Sequence, residues 1–539
     1  MAQKWQKKLA LGGFVIITLI FFFPSLFLHR VPLPTDLIDD YLLDAPRVGE
    51  NPLLRDAIVQ LYPNLQVLFN QKKQDLPLKD NVYIFNGLDV SGNGQSLLFS
   101  PLVFLMPIFT QASSFFTFLV ILYFFLSGLN FFLFLRSRNY SLALSFFGGA
   151  TYQLSGPLIA WQAWGTIGGV MAWFPLLLYA AEKYARTRHG GYLVLFSLVN
   201  YLALSNGHLQ FYVYALCLSV LFLLFRLITI RKKINLKNYL FLGGAILVNI
   251  STIWWVVSPF ITAITLSHRS HLTDTSALSW QHLLQFVLPN IWGNQLNYHA
   301  PLNYVETFVF IGIIPLLLFF STVVYYRKSD WQRQWFWLVC LLGLLVYNFF
   351  PQIIQPLFFL FPFLQSFPPF RSLFLIDAIL IILAVDVLKI IITTPKFIRF
   401  KFKYYLMVVI VVSLLNQGSV VHGFTPQQSL APLVNPPSYV RYLQSVASKP
   451  LIYSEICPLN LYALYGIRSI FGYDTTYPES YYQLIKNNGK IISHRNILNA
   501  KISDQQFLRT LGVQYIVSKR NWDLPLVFSE QDIKVYQLP

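Results

Sequence analysis

Only 12% of the 539 residues carry a charge, so few side chains have the chemistry to act on a substrate. Four carboxylates stand out by position. Asp36 and Asp56 lie in the first polar stretch, Glu306 begins a later apolar run, and Asp377 sits inside another. A carboxylate close to a bilayer surface can take the proton from an attacking hydroxyl. Arg371 begins an apolar run and carries the planar fork that grips a phosphate bidentately; Arg269 and Arg55 are weaker candidates of the same kind. His208 and Gln210 stand together at the start of another run and offer hydrogen-bonding groups there.

Each of these residues also has a plainer reading. Asp56 fits a helix-start charge favoured by the macrodipole, and Asp36 a solvated turn aspartate after Pro34. Glu306 fits a helix N-terminal charge, Arg371 an interface anchor, and His208 and Gln210 a capping or snorkelling pair. Asp377 lies about two turns into its run. An intramembrane carboxylate is a functional candidate by default, yet it can equally pair with a neighbouring helix. Asp386 has Lys389 one turn on, which reads as a local pair. The nine histidines are scattered, and His268 with His271 is a weak signal, so no metal cluster is read. No phosphate-cradling or dinucleotide glycine motif is present, which argues against a nucleotide-driven pump and implies no cofactor.

The elements that position these groups follow from hydropathy. The chain is 55% hydrophobic with 49 Phe and 31 Tyr, its mean hydropathy is +0.53, and soluble proteins average about 25% charged residues. Runs of about 20 apolar residues cross the hydrocarbon. They read near 11–29, 113–135, 140–160, 166–182, 191–206, 209–230, 239–266, 306–326, 334–350, 372–394 and 404–421, which predicts about eleven spans. The stretches 97–110 and 352–363 are apolar but short and proline-bearing, and read as re-entrant or interfacial. Lys and Arg recur in alternate loops: Lys4, Lys7 and Lys8, then Arg136 and Arg138, Lys183 and Arg186, Arg231 to Lys237, Arg327 and Lys328, and Lys396 to Lys403. Basic loops stay cytoplasmic, so the N-terminus is expected inside and the C-terminus outside. The net charge of +18 therefore indicates membrane orientation and no nucleic-acid partner. Phe, Pro, Leu and His follow the first run, without small cleavage-site residues, and the run is expected to stay attached. Two of the three cysteines, Cys217 and Cys340, lie in apolar runs, so no disulfide framework is available.

Two long segments fall outside. In the first, 30–112, Leu54, Ile58, Leu61, Leu65 and Leu68 mark one face of an amphipathic helix. Pro63 should kink it into two short helices on the membrane surface, with Asp56 turned away from the leucines. In the second, 422–539, Ser503 and Gln506 have capping-box spacing, a helix is predicted to Leu511, Gly512 ends it, and Val513–Val517 and Ile533–Leu538 read as strands. The expected organisation is a transmembrane domain over 1–421 and a small extracytoplasmic α/β domain over 422–539.

Several phrases, in order along almost the whole chain, resemble the YfhO family of bacterial multi-pass membrane proteins. They are NPLLRDAIVQLYPNLQ (51–66), FNGLDVSGNGQSLLFSPL (85–102), LSGPLIAWQAWGTIG (154–168), LSNGHLQFYVY (204–214), LPNIWGNQLNYHAPLNYVETFVFIGIIPLLL (288–318), FPPFRSLFLID (367–377) and LYALYGIRSIFGYD with LGVQYIVS. The chain departs from the family at Gly94-Gln95-Ser96, where a Pro-Gln-Ser triplet is expected, and at Asp89 and Asn93, where small or apolar residues are usual. The resemblance implies a GT-C-like membrane glycosyltransferase using a polyprenyl-phosphate sugar to decorate an envelope polymer or glycolipid at the cytoplasmic membrane. Its phosphate would leave as a good leaving group and need positive charge. The implied roles are Asp56 as base, Asp36 and Glu306 as supporting carboxylates, and Arg371, His208, Gln210, Gln95 and Asp377 as substrate contacts. Two other readings stay open: a flippase or transporter of lipid-linked glycans, and a non-catalytic envelope-assembly scaffold. The first predicts internal repeats and midplane charges, whereas the ionisable residues here gather at the outer rim.

Overall fold

The computed structural model describes residues 2–44, 54–230, 232, 235–271, 277–293, 297–354, 367–394, 402–421, 424, 426–446, 449–457 and 459–539. Arg231, Lys233, Lys396, Arg399 and Lys401, and most of 352–363, lie outside these residues.

The chain is mostly helical. In order, the main helices are α1 Ala2–Phe21, α2 Ala112–Ser137, α3 Leu142–Gln153, α4 Ile167–Thr187, α5 Gly191–Ser205 and α6 Leu209–Thr229. They continue with α7 Leu236–Leu266, α8 Ile313–Phe320, α9 Lys328–Phe349, α10 Leu373–Thr393 and α11 Phe402–Val421. Among the described residues, α2, α6 and α7 are long and apolar enough to cross a membrane, and shorter apolar helices run over Lys8–Phe21, Gly191–Ser205, Ile313–Tyr325 and Met407–Val421. This measure gives three candidate spans, so the predicted eleven are not reached by it.

Charges within α4 and α10 account for part of the shortfall. Glu182 of α4 is fully buried and accepts from Arg226 at 2.6 and 2.9 Å and from Arg186 at 2.5 Å. Asp386 of α10 accepts from the Tyr140 hydroxyl and the Arg333 guanidinium, both at 2.8 Å. The local Asp386–Lys389 pair is thus corrected: the Lys389 ammonium lies over the Tyr140 ring instead, 5.3 Å from its centroid. A charge in a helical core is tolerated when it is paired this way.

Two predicted spans are interrupted. The run 140–160 breaks after α3, and a short helix Gly156–Ala160 restarts with Pro157 in its first turn, where proline costs no hydrogen bond. The run 306–326 breaks more sharply. A short helix Tyr304–Thr307 gives way to extended residues 308–311, each only 1% exposed, and α8 starts after Gly312. Gly312 has φ +91 and ψ 148, backbone space essentially reserved for glycine. Pro315 then sits in the first turn of α8, where its missing amide is harmless.

The chain divides into two compact units. One takes in 1–26, 118–253 and 273–425, and the other 27–117, 254–272 and 426–539. In the first, α4, α5 and α6 pack together, and α10 is buried from Leu373 to Leu388 against α3, α8 and α9.

In the second unit, residues of the 30–112 segment build one core with the C-terminal residues. Ile84, Phe85 and Leu88 pack with Tyr453, Ile470, Phe471, Leu498 and Ile516, and Arg30–Val31 pairs antiparallel with Gln428–Ser429. The C-terminal strands are β1 Leu451–Ser454, β2 Arg468–Ser469, β3 Gly472–Tyr473, β4 Lys490–Ser493, β5 Ile497–Lys501, β6 Tyr515–Ser518, β7 Leu526–Glu530 and β8 Ile533–Gln537. They form a five-stranded sheet in the order β7-β8-β6-β1-β2, with β1 parallel to both β2 and β6, and a three-stranded sheet β3-β5-β4. The helix before β6 runs Gln505–Thr510. Its cap is Asp504, whose carboxylate accepts from Gln506 N at 2.8 Å and Phe507 N at 3.1 Å, so the expected Ser503 cap is off by one residue. Gly512 ends the turn with φ +81.

The leucine-faced helix also differs from expectation. A π-helical turn, Ala57–Leu61, leads into an α-helix Tyr62–Lys73 with Pro63 in its first turn. Pro63 therefore starts a helix and does not kink one. Leu54, Ile58, Leu61, Leu65 and Leu68 are all buried, as are Val59, Tyr62 and Phe69. The helix Leu461–Leu464 and the 3₁₀ helix Pro101–Ile108 pack against this element, so it is a core element rather than one lying on a lipid surface.

Candidate active site

In the first unit, Arg371 gathers the polar groups. It belongs to a 3₁₀ turn, Pro369–Ser372, that leads into α10. Its Nη1 donates to Gln210 Oε1 at 2.9 Å, and its Nε and Nη2 donate to Glu306 Oε1 at 3.2 and 2.8 Å. Glu306 lies in the short helix Tyr304–Thr307, capped by Asn303, whose side chain accepts from Val305 N at 2.9 Å. Gln210 is fixed from its other end, since its Nε2 donates to Pro368 O at 3.0 Å and to the Tyr214 hydroxyl at 3.2 Å. Tyr214 in turn contacts the Tyr347 hydroxyl at 2.9 Å. The Arg371 side chain stays 25% exposed and the Glu306 side chain 20%. The result is a cation held through all three nitrogens by a carboxylate and an amide, with two of its five N–H donors left for an anion.

His208 sits beside this cluster, only 6% exposed, in the connection ahead of α6. It does not cap the helix, and its Nδ1 has no partner among the described residues. Burial, and then the Arg371 charge, push its pKa well below the usual imidazole value, so the ring is neutral and able to accept a hydrogen bond. Phe211 packs edge-on against it at 4.8 Å, and Trp161 packs on Phe211 at 5.2 Å. Asp377 is fully buried in α10.

The second unit holds the other sequence candidates. Arg55 Nε donates to Asp56 Oδ1 at 3.3 Å, with the Asp56 side chain 35% exposed. The Tyr473 phenol is also within hydrogen-bond reach of Asp56, and burial, then the Asp56 charge, raise its pKa, so it stays protonated as a donor. Asp36 occupies the position before the short helix Leu37–Leu42 without capping it, while its amide donates to Gln428 Oε1 at 2.9 Å. Gln95 is half-buried and its amide donates to Asn93 Oδ1 at 2.8 Å.

Sequence reasoning missed what fastens this loop. Asn93 Nδ2 donates to Asp474 Oδ2 at 2.6 Å, and Asp474 Oδ1 also accepts from Thr476 N and Oγ1 at 2.9 and 2.7 Å. The unusual Asn93 thus has a structural use, and no local signal links it to a residue 381 positions away. His268 likewise pairs with Glu479 at 2.6 Å and His494 at 3.0 Å; the His271 side chain, its partner in the sequence reading, lies outside what the structure describes. Among the described residues no group of three or more His, Cys, Asp and Glu is placed to hold a metal ion.

No protein-family model matches the sequence, and no curated protein matches it, so the family resemblance rests on its phrases alone. Solved structures do match. One is the oligosaccharyltransferase AglB from Archaeoglobus fulgidus, with 11% identity over 96% of this chain and 69% of that one, at a TM-score of 0.45. Another is the arabinofuranosyltransferase AftD from Mycobacteria, with 12% identity over 100% of this chain and a TM-score of 0.56. The chain spans 40% of the length of AftD. At that identity the likeness is one of fold, and the fold of this chain is similar to that of a glycosyltransferase.

Proposed function

We propose that the protein is a membrane glycosyltransferase that moves a sugar from a polyprenyl-phosphate donor to an envelope polymer or glycolipid on the outer face of the cytoplasmic membrane. The observation that carries this reading is Arg371, whose three nitrogens donate to Glu306 and Gln210 while its side chain stays 25% exposed. The fold likeness to AftD supports the same class of reaction.

In the proposed step an acceptor hydroxyl attacks the anomeric carbon of the donor sugar. The carbon–oxygen bond to phosphate breaks, and polyprenyl phosphate leaves with the bonding electrons. Arg371 stabilises the charge that builds on that phosphate. Asp56 takes the hydroxyl proton, with Arg55 and the Tyr473 phenol setting its orientation. Asp36 and Glu306 are supporting carboxylates, and the neutral His208, Gln210 and Gln95 are contacts for sugar hydroxyls. Asp377, which the sequence placed among the substrate contacts, is fully buried in the helical body and takes no part in this step.

The test is transfer in proteoliposomes with a panel of radiolabelled polyprenyl-phosphate sugars and crude envelope acceptor. Arg371→Gln removes the charge at similar size, and a drop of about a hundredfold is expected for loss of one transition-state contact to charge. Full transfer by Arg371→Gln would remove this site from the reaction.

A further inference from the structure

Asp377 is a fully buried carboxylate on a predicted span. No basic side chain is paired with it among the described residues, and neither of its oxygens has a side-chain partner. The backbone amide of Phe310, in the extended break before Gly312, lies against it. Phe310 O in turn accepts from Gly156 N at 2.8 Å, which brings the end of the 142–155 region to the same place. Gly148 backs onto Ile381 and Val385, so α3 and α10 run side by side and bring Thr151 and Ser155 to the level of Asp377. Gln417 of α11 closes the group, since its Nε2 donates to Thr151 O at 2.9 Å.

Oxygens are left over here. Thr151 Oγ1, Ser155 Oγ and Gln417 Oε1 have no partner among the described residues, and these residues are at most 1% exposed. Some buried helical hydroxyls fold back onto their own helix, as Thr18 does to Phe14 O at 2.8 Å and Ser219 to Ala215 O at 2.7 Å; Thr151 Oγ1 does not, nor do Ser145 Oγ and Ser413 Oγ. Ser155 stands before the helix Gly156–Ala160 and does not cap it. Buried polar atoms in native proteins find partners, and an isolated buried charge is expensive.

We propose that Asp377, Thr151, Ser155 and Gln417 form a buried site for a small monovalent cation, sodium, held against the broken backbone at 308–312. Oxygen-only ligands select a hard ion, and a single carboxylate is neutralised by a single positive charge. Unwound segments beside helix ends supply such sites in other membrane folds. The inference does not depend on glycosyl transfer, and its test does not use it.

The test is thermal unfolding of the full chain in detergent across a NaCl series, with choline chloride holding ionic strength constant. The midpoint should rise with sodium and saturate, by about 2–5 °C. In Asp377→Asn the sodium response should vanish, while the midpoint in choline stays equal or rises because an uncompensated carboxylate is gone. Thr151→Val should shift saturation to higher sodium. A midpoint indifferent to sodium in the wild type would overturn the site, as would a sodium response that survives Asp377→Asn. A response that follows pH at fixed sodium and is lost in Asp377→Asn would assign the position to a proton and overturn the sodium claim.

Discussion

Arg371 reaches Glu306 through two nitrogens and Gln210 through a third, geometry that a lysine ammonium cannot reproduce. Arg371→Lys should therefore lower kcat/KM for donor at least about tenfold while keeping the charge, read from initial rates across a donor series. Transfer equal to wild type would mean the fork is not used. Asp474 gives a separate, pH-dependent prediction. Burial raises its pKa above the ordinary carboxylate value, partly offset by its hydrogen bonds from Thr476 and Asn93. The folded state then binds its proton more tightly than the unfolded state, whose carboxyl titrates near about 4. Its contribution to stability is fully present below that value and is lost as pH rises to the raised native value. Asp474→Asn should flatten this part of the stability profile, measured by denaturant unfolding at stepped pH, and an unchanged slope would count against the assignment. Arg371 and Glu306 were each legible as charges at the top of apolar runs. Their pairing was not, because short-range rules see neighbours three or four residues apart and these two are 65 apart. The same rule misled at Asp386, where Lys389 is near in sequence but Arg333, 53 residues away, makes the bond.

At the scale of elements, the break at 308–312 is the feature on which most depends. Gly312 holds φ +91, and a Cβ there would meet nothing nearer than 3.4 Å, so the cost of a side chain is in the backbone. Gly312→Ala should destabilise the protein by about 1–3 kcal/mol, seen as a lower thermal midpoint in detergent; an unchanged midpoint would mean the break is not fixed by this residue. Gly92 is the contrasting case. A Cβ on it would lie 2.1 Å from the Ala263 Cβ, so Gly92→Ala is expected to displace the 86–96 loop from the end of α7. Hydropathy located both interrupted runs but not their interruptions, because Phe, Val and Ile are as apolar in an extended chain as in a helix. Turn chemistry was more reliable: Gly512 ends a helix where its type demands. The leucine spacing at 54–68 correctly marked a buried face. It could not reveal that Val59, Tyr62 and Phe69 are buried as well, since Tyr62 packs on Phe116, Phe69 on Phe115, and Val59 O accepts from Asn460 N, none of them near in sequence.

For the whole molecule, apolar composition and alternating basic loops pointed to a membrane protein, and among the described residues three helices are long and apolar enough to cross one; the fold is similar to that of AftD. The interleaving of the 30–112 segment with the C-terminal strands was not legible, because one core is assembled from distant pieces. The proposed orientation has its own check. With the three native cysteines replaced, Ser445→Cys should react with a membrane-impermeant maleimide in intact cells, and Thr187→Cys only after permeabilisation. The reverse pattern would invert the topology. The central claim is sugar transfer with Asp56 as base, and the most direct measurement compares wild type with Asp56→Asn in proteoliposomes supplied with polyprenyl-phosphate sugars. The account predicts transfer by the wild type and a drop of about a hundredfold or more in the variant. Transfer by Asp56→Asn at the wild-type rate would contradict it.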